Sequence, residues 1–217
     1  MSSSRPFKVA VLASGAGTNL QALLDKVHRR DGIEIVAVVS DNADSQALER
    51  ARRAAVPART FRRVEYGGDR AARDRAIAEW LTEREVELVV LAGYMQLLGA
   101  DFLARFPDAV INVHPALLPA FPGLDAIGNA LAYGVKVFGI TVHFVDDGVD
   151  TGPVILQRAV ELPDAREPDD VLPRIQELEH VLLPEVVRLM ARGEVRIDRA
   201  DPRRVHVGAL AGQDSRT

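Results

Sequence analysis

Phe7-Lys8-Val9-Ala10-Val11-Leu12-Ala13-Ser14-Gly15-Ala16-Gly17-Thr18-Asn19-Leu20 decides how the rest of the chain is read. An apolar run of strand length, residues 7–13, passes through two glycines into a segment with Leu20, Leu23, Leu24 and Val27 at i, i+3, i+4 and i+7. That spacing puts the apolar side chains on one face of a helix. A short run with no polar alternation suits a strand covered on both faces, the condition of parallel sheets. The glycine pair lets the backbone turn sharply and come close to a ligand. The helix start then offers unpaired N–H groups and the positive end of the helix dipole. Ser14, Thr18 and Asn19 add polar side chains. A phosphate suits this loop, and so does a plain turn capped by Thr18 or Asn19. Two nucleotide motifs fit poorly. Leu20 occupies the place of the third glycine of a dinucleotide fingerprint, although Asp41 lies about where a ribose-binding acid would, and no lysine follows as a P-loop requires.

The same alternation continues outward. Residues 33–39 read as a strand and 46–55 as a helix stopped near Pro57. Residues 69–84 form a longer helix with Ile77, Trp80 and Leu81 on one face, followed by a strand at 88–91 ending at Gly93. A short helix at 100–105 precedes a strand at 109–114 that Pro115 ends. Repeated strand–helix–strand units predict an α/β, Rossmann-like fold, a mostly parallel sheet with helices on both faces. The second half differs. Residues 115–124 are too rich in Pro and Gly for helix or strand and predict a structured, functional loop. A helix over 125–133, strands over 135–145 and 154–162 around the acidic turn 146–152, and a long helix over 169–192 follow. That last helix turns Val171, Ile175, Leu178 and Leu182 inward. The expectation is one domain over residues 1–200 and a polar, mobile tail over 201–217.

Composition narrows the chemistry. The 217 residues contain no cysteine, which excludes disulfides, zinc–cysteine sites and thiol nucleophiles and makes the cytoplasm the expected location. A net charge of -4 argues against nucleic acid as a partner. The Arg-rich stretch 50–75 is interrupted by Glu49, Glu65, Asp69 and Asp74 and reads as solvated surface. No apolar run approaches the ~18 residues of a membrane span. In the acidic turn, Gly148 and Thr151 break the calcium-loop template, so no metal is expected.

In Val110-Ile111-Asn112-Val113-His114-Pro115 side chains alternate, so Asn112 and His114 share one side at the carboxyl end of a strand. Open α/β sheets build their sites at that end. An amide and an imidazole can both donate to an oxygen that becomes negative during acyl transfer, and the imidazole can also move a proton. Asp150 becomes functional if it reaches His114, where a carboxylate fixes the ring and favours its charged form. Asp146 and Asp147 read as solvated turn residues, and His28 and His143 as structural. Gln176, Glu179 and His180 form one polar face of the last helix, the usual mark of an exposed face.

Taken together these motifs resemble the phosphoribosylglycinamide formyltransferase family, folate-dependent enzymes of purine synthesis. The resemblance spans residues 7–192 and rests on residues 14–20, on Leu91-Ala92-Gly93-Tyr94-Met95, on Asn112-Val113-His114-Pro115-Ala116-Leu117-Leu118-Pro119 and on Phe121-Pro122-Gly123. It continues in Thr141-Val142-His143-Phe144-Val145 and Asp150-Thr151-Gly152-Pro153-Val154-Ile155. It implies the formyltransferase fold, 10-formyltetrahydrofolate as co-substrate and formyl donor, the amino group of glycinamide ribonucleotide as acceptor, and no metal. It implies Asn112, His114 and Asp150 as the catalytic trio. Gly17, Thr18 and Asn19 would hold the ribonucleotide phosphate, with Gln176 and Glu179 near the ribonucleotide. Arg70, Met95, Gln96, Leu97 and Leu98 would bind folate together with Asn112. The pterin side would be lined by Val145, Asp146, Asp147, Gly148, Val149 and Asp150. Gln96 stands where many relatives carry Arg or Lys. A homodimer follows from the resemblance alone. The alternatives are another 10-formyltetrahydrofolate enzyme, a hydrolase or a different formyltransferase, and further off a nucleotide-binding oxidoreductase.

Overall fold

A computed structural model describes residues 5–208. Seven strands form one sheet in the order β3-β2-β1-β4-β5-β6-β7. They are β1 (Phe7–Leu12), β2 (Ile33–Ser40), β3 (Ala58–Thr60), β4 (Leu88–Leu91), β5 (Val110–His114), β6 (Val137–Phe144) and β7 (Val154–Glu161). The first five run parallel, β6 is antiparallel to β5, and β7 is antiparallel to β6. The predicted α/β, mostly parallel sheet is therefore the observed one. β3 escapes the sequence reading because it is three residues long, mostly exposed, and carries no apolar run.

Alternation along each central strand builds two cores. Val9 and Val11 of β1 and Leu88 and Val90 of β4 face one side. There they meet α1 (Thr18–Lys26), α2 (Gln46–Arg53), α5 (Ala126–Tyr133) and α6 (Pro168–Ala191) through Leu20, Leu23, Ala47, Ala51, Ile127, Val171, Ile175 and Leu182. Ala10 and Leu12, with Val89 and Leu91, face the other side and pack on α3 (Arg70–Thr82) and α4 (Ala100–Leu103) through Ile77, Trp80, Leu81 and Phe102. Leu178, expected inward, is only half-buried. His28 plays the structural part expected of it: its Nδ1 accepts the Ile35 N–H at 3.0 Å.

The strand order reverses between β1 and β4, which places the loops after these two strands side by side at the switch point where such folds bind ligands. Ser14 N donates to Gly93 O at 3.0 Å, and Met95 N donates to Ser14 Oγ at 2.8 Å. At the other end of the chain, β8 (Val195–Ile197) and β9 (Val205–Val207) form an antiparallel hairpin. The expected tail over 201–217 thus needs correction across 205–207. Ladder bonds between two very short strands, the His206–Asp198 contact at 2.7 Å and the packing of Val195, Ile197 and Val205 on the core order it, and strands of three residues are too short for their alternation to stand out in the sequence. The remainder of that expectation, 209–217, lies outside the described residues. Among the described residues no helix is long and apolar enough to cross a membrane.

Candidate active site

Four segments meet where β5 ends. Asn112 and His114 project from the same face of β5, as alternation requires, while Ile111 and Val113 enter the core behind them. Asp150 returns to them from the acidic turn. Its Oδ1 accepts from Asn112 Nδ2 at 3.3 Å, and its Oδ2 lies 3.4 Å from His114 Nδ1. Another of the four is the Pro-rich loop. Its Phe121 O lies 2.8 Å from His114 Nε2 and accepts from it, and Gly123 N donates to Asp150 Oδ2 at 2.8 Å. Both nitrogens of His114 therefore face acceptors, an arrangement that a doubly protonated imidazolium satisfies with two N–H groups. A cavity of about 370 Å³ opens beside Asp150, between Leu118, Pro119 and Pro122 on one side and Val149 to Val154 on the other.

Local chemistry explains how Asp150 gets back to β5. β6 runs antiparallel, so Phe144 lies opposite Ile111, and the chain must reverse before it can approach His114. Asp146 shapes the reversal: its Oδ1 accepts from Gly148 N at 3.1 Å and from Thr151 Oγ1 at 2.6 Å. This is the turn role expected of Asp146 from the sequence. Asp147, Gly148 and Val149 form the exposed tip, with Val145 half-buried at its base. Gly152 is required by close approach, because a Cβ there would lie 1.8 Å from Phe144 O. Asp150 itself takes a left-handed φ of 54°, strain that persists only where the surroundings hold it. Burial would raise its pKa. The His143 ring, the Gly123 N–H and the charge on either histidine outweigh burial and leave the carboxyl below its ordinary value.

His143 was read as structural and belongs to this site. Its ring is 2% exposed, with Nε2 3.2 Å from Asn112 Nδ2 and 3.6 Å from Asp150 Oδ1. Nδ1 lies 2.7 Å from Phe144 O and must donate to it, so Nε2 accepts from the Asn112 amide when the ring is neutral and turns a donor toward Asp150 when it is charged. The signal that would have found it is register. Asn112 and His143 are direct antiparallel partners, and such partners share a face. No single sequence reveals that pairing.

The glycine loop forms the second half of the site. Gly17 is the N-cap of α1, with φ 67° and no side-chain cap, so a turn capped by Thr18 or Asn19 does not form. Gly17 is also required by packing: a Cβ would sit 2.8 Å from Ala47 Cα. The α1 N-terminus is thereby left free to meet an anion. Asn19 is 8% exposed and donates from Nδ2 to Glu179 Oε2 at 2.9 Å. Glu179 is equally buried, and burial raises its pKa against the lowering effect of the Asn19 hydrogen bond. The face of α6 read as exposed is therefore partly buried against α1, with Gln176 half-buried one turn earlier. Among the described residues Asn19 Oδ1 is buried without a partner, a polar atom with capacity left for a ligand.

Across the switch point lies the loop after β4. Met95 and Leu97 are exposed, Leu98 is buried, and Gln96 is half-buried. Arg70 opens α3 alongside, its Nη2 4.0 Å from where a Cβ on Gly99 would sit. The residues singled out from the sequence thus gather along the carboxyl edge of the parallel strands and the turn beside it. Among the described residues no group of three or more His, Asp or Glu is placed to hold a metal ion.

A glycine turn at the switch point and an amide, imidazole and carboxylate gathered at the end of β5 have the outline of an α/β group-transfer enzyme. The formyl transferase family pattern matches residues 7–187, and the chain belongs to that family. It is 43% identical over 192 residues to the phosphoribosylglycinamide formyltransferase of Bacillus subtilis, covering 86% of this chain and 98% of that protein. The crystal structure of glycinamide ribonucleotide transformylase 1 from Symbiobacterium toebii superposes with a TM-score of 0.89 at 47% identity, covering 94% of this chain and 95% of that one. The chain is also 40% identical over 194 residues to the trifunctional purine biosynthetic protein adenosine-3 of Gallus gallus, matching 89% of itself and 19% of that larger protein. The resemblance read from the sequence is borne out.

Proposed function

We propose that the protein transfers a formyl group from 10-formyltetrahydrofolate to the amino group of 5-phosphoribosylglycinamide, as a step of purine biosynthesis. The observation that carries this reading is the convergence of Asn112, His114 and Asp150 at the carboxyl end of β5, with a cavity opening beside Asp150. The uncapped N-terminus of α1 would take the phosphate, and the buried Asn19–Glu179 pair, with Gln176, the rest of the ribonucleotide. Anchoring the phosphate fixes the amine beside the formyl carbon and lowers the entropic part of the barrier. Folate would lie against Met95 to Leu98, Arg70 and Asn112, with its pterin against the turn from Val145 to Asp150.

The amine attacks in its neutral form, forming the C–N bond as the formyl oxygen becomes an oxyanion. Asn112 Nδ2 and protonated His114 donate to that oxygen. Each must redirect a hydrogen bond it now makes, Asn112 from His143 or Asp150 and His114 from Phe121 O. Asp150, held ionised, orients His114 and, through water, moves the proton from the attacking nitrogen to the departing folate nitrogen. The bond to folate then breaks and the formyl group leaves on the ribonucleotide. Neither a metal nor a covalent enzyme intermediate enters this sequence.

Mixing the protein with 10-formyltetrahydrofolate and glycinamide ribonucleotide, and following deformylated folate by absorbance, tests the proposal. Turnover is expected only with both present. Deformylation without the ribonucleotide would make the protein a hydrolase, and no deformylation at all would reject the reading.

A further inference from the structure

Asp150 sits in a turn that the core does not grip tightly. A cavity of about 250 Å³ lies at the base of the turn, between Phe106 to Asp108 and the pair Val145 and Asp146. The cavity of about 370 Å³ beside Asp150 borders the same turn from Val149 to Pro153. A side chain that faces space has no partner atoms there, so packing alone leaves the path of the turn under-determined. The bonds of Asp146 to Gly148 and Thr151 fix the shape of the turn and not its place against β5. Asp150 nonetheless keeps its left-handed φ of 54°, which persists only where something outside holds it.

The β8–β9 hairpin supplies a hold. Besides the turn and the strands that flank it, the hairpin is the described segment that walls both cavities, through Ile197 in the smaller and Arg203 in the larger. Arg203 Nη1 donates to Thr151 O, on the residue next to Asp150. The hairpin can bear on the turn because it is itself anchored. Val195, Ile197 and Val205 pack on the core, and Gly208 N donates to Glu194 O at 3.0 Å. Two aspartates build its tip: Asp198 Oδ1 accepts from Ala200 N at 2.7 Å, and Asp201 Oδ1 accepts from Arg203 N at 3.1 Å. The backbone that presents Arg203 is thus fixed before its side chain reaches out. One exposed hydrogen bond adds little stability. Its leverage is positional, because a misplacement of about 1 Å in a catalytic group can cost roughly 100-fold in rate.

We propose that the β8–β9 hairpin is a strap that holds the Asp150 turn against β5, and that Arg203 is the positioning residue that fastens it. This rests on the reading of Asp150 as catalytic. The hairpin lies outside residues 7–187, the stretch that matches the family pattern.

Arg203→Ala tests the fastening. The expected result is a kcat lowered about tenfold, with the KM of both substrates and the thermal midpoint close to the parent's. Millimolar guanidinium chloride should restore part of that kcat by refilling the place of the lost donor. Burial raises the Asp150 pKa, and its contacts with His143, Gly123 and His114 lower it by more. A slack turn gives up those contacts, so the acid limb of kcat should move to higher pH in the variant. Arg204→Ala removes the same charge one residue along, from a side chain paired with Asp201 at 3.1 Å, and should keep the parental kcat and pH profile. An equal fall in Arg204→Ala would put the effect on charge and overturn the strap. A folate KM raised at unchanged kcat would make Arg203 a ligand contact and overturn it as well. A lower kcat with neither recovery in guanidinium nor a displaced acid limb would leave Arg203 a merely structural part and overturn the positioning role. Parental kcat in Arg203→Ala beside a crippled Asp150→Ala would overturn the strap and leave the catalytic reading standing. Near-parental turnover in both would overturn that reading and the strap with it.

Discussion

The two ends of the site are built in opposite ways. The end proposed to take the phosphate is mostly backbone: one unbroken stretch, residues 14–20, turns at Gly17 into α1 with no side-chain cap. The end proposed to carry out formyl transfer is mostly side chain: Asn112 and His114 from β5, His143 from β6 and Asp150 from a strained turn, tied down by Phe121 O and Gly123 N from a fourth segment. A helix start keeps its dipole whatever its side chains are, so the first end should tolerate substitution unless the turn itself is blocked. The second end depends on four segments keeping register, so each of its atoms is individually exposed to loss.

The contrast is tested most severely by His114→Ala and Asp150→Ala. Each should lower kcat by roughly 100- to 1000-fold or more, the usual effect of losing one donor to a developing oxyanion. Ribonucleotide binding, measured by calorimetry, should survive in both, because the anion end is untouched. Near-normal turnover in either variant would abolish the division drawn above.

Gly17→Ala attacks the other end through its turn. The new Cβ would meet Ala47 Cα at 2.8 Å and the residue would keep a positive φ. Overpacking of this kind costs about 1–3 kcal/mol, to be read as a lower urea midpoint, with the ribonucleotide KM rising and the folate KM following less. A variant as stable as the parent would mean that α1 and α2 can part without cost.

His143→Leu sharpens the comparison within the formyl end. It keeps the bulk and removes the acceptor of the Asn112 amide. Leaving a half-buried donor with one hydrogen unpaired costs about 1 kcal/mol or more, so kcat should fall by about tenfold while the ribonucleotide KM holds. A kcat equal to the parent's would return His143 to the structural role that its sequence context suggests.

The smallest effect is expected from Glu179→Gln, read as stability against pH. Burial raises the Glu179 pKa in the folded protein, so below the ordinary value of 4.5 the group is protonated in both states and nothing is lost. As pH rises through the raised folded value, ionisation increasingly costs the folded state. Gln mimics the neutral form and still offers an oxygen to Asn19. The variant should therefore match the parent near pH 4 and exceed it in thermal midpoint near pH 8. A gain at acid pH instead would contradict the buried, charge-penalised carboxyl.

Legibility followed distance along the chain. Strand–helix alternation in the first half was readable because burial on both faces leaves long apolar runs, and Ala10/Leu12 against Val9/Val11 sort into the two cores by parity alone. The shared side of Asn112 and His114 came from that same parity. β3 and the β8–β9 hairpin escape the sequence reading because strands of three residues are too short to show a period. Glu179 illustrates the intermediate case: helical spacing put it on a polar face, and only the packing of α6 on α1 turned that face inward.

What the chain dictated unaided is whatever local sterics and period-two or period-3.6 burial determine: the elements, the glycine turn and the side on which each strand residue projects. Tertiary structure alone decided which distant groups meet. The pairing of Asn112 with His143, the return of Asp150 to His114 through a left-handed residue, and the reach of Arg203 to Thr151 all depend on register and loop path. Those are set by the summed packing of both cores, and no stretch of sequence carries that sum by itself.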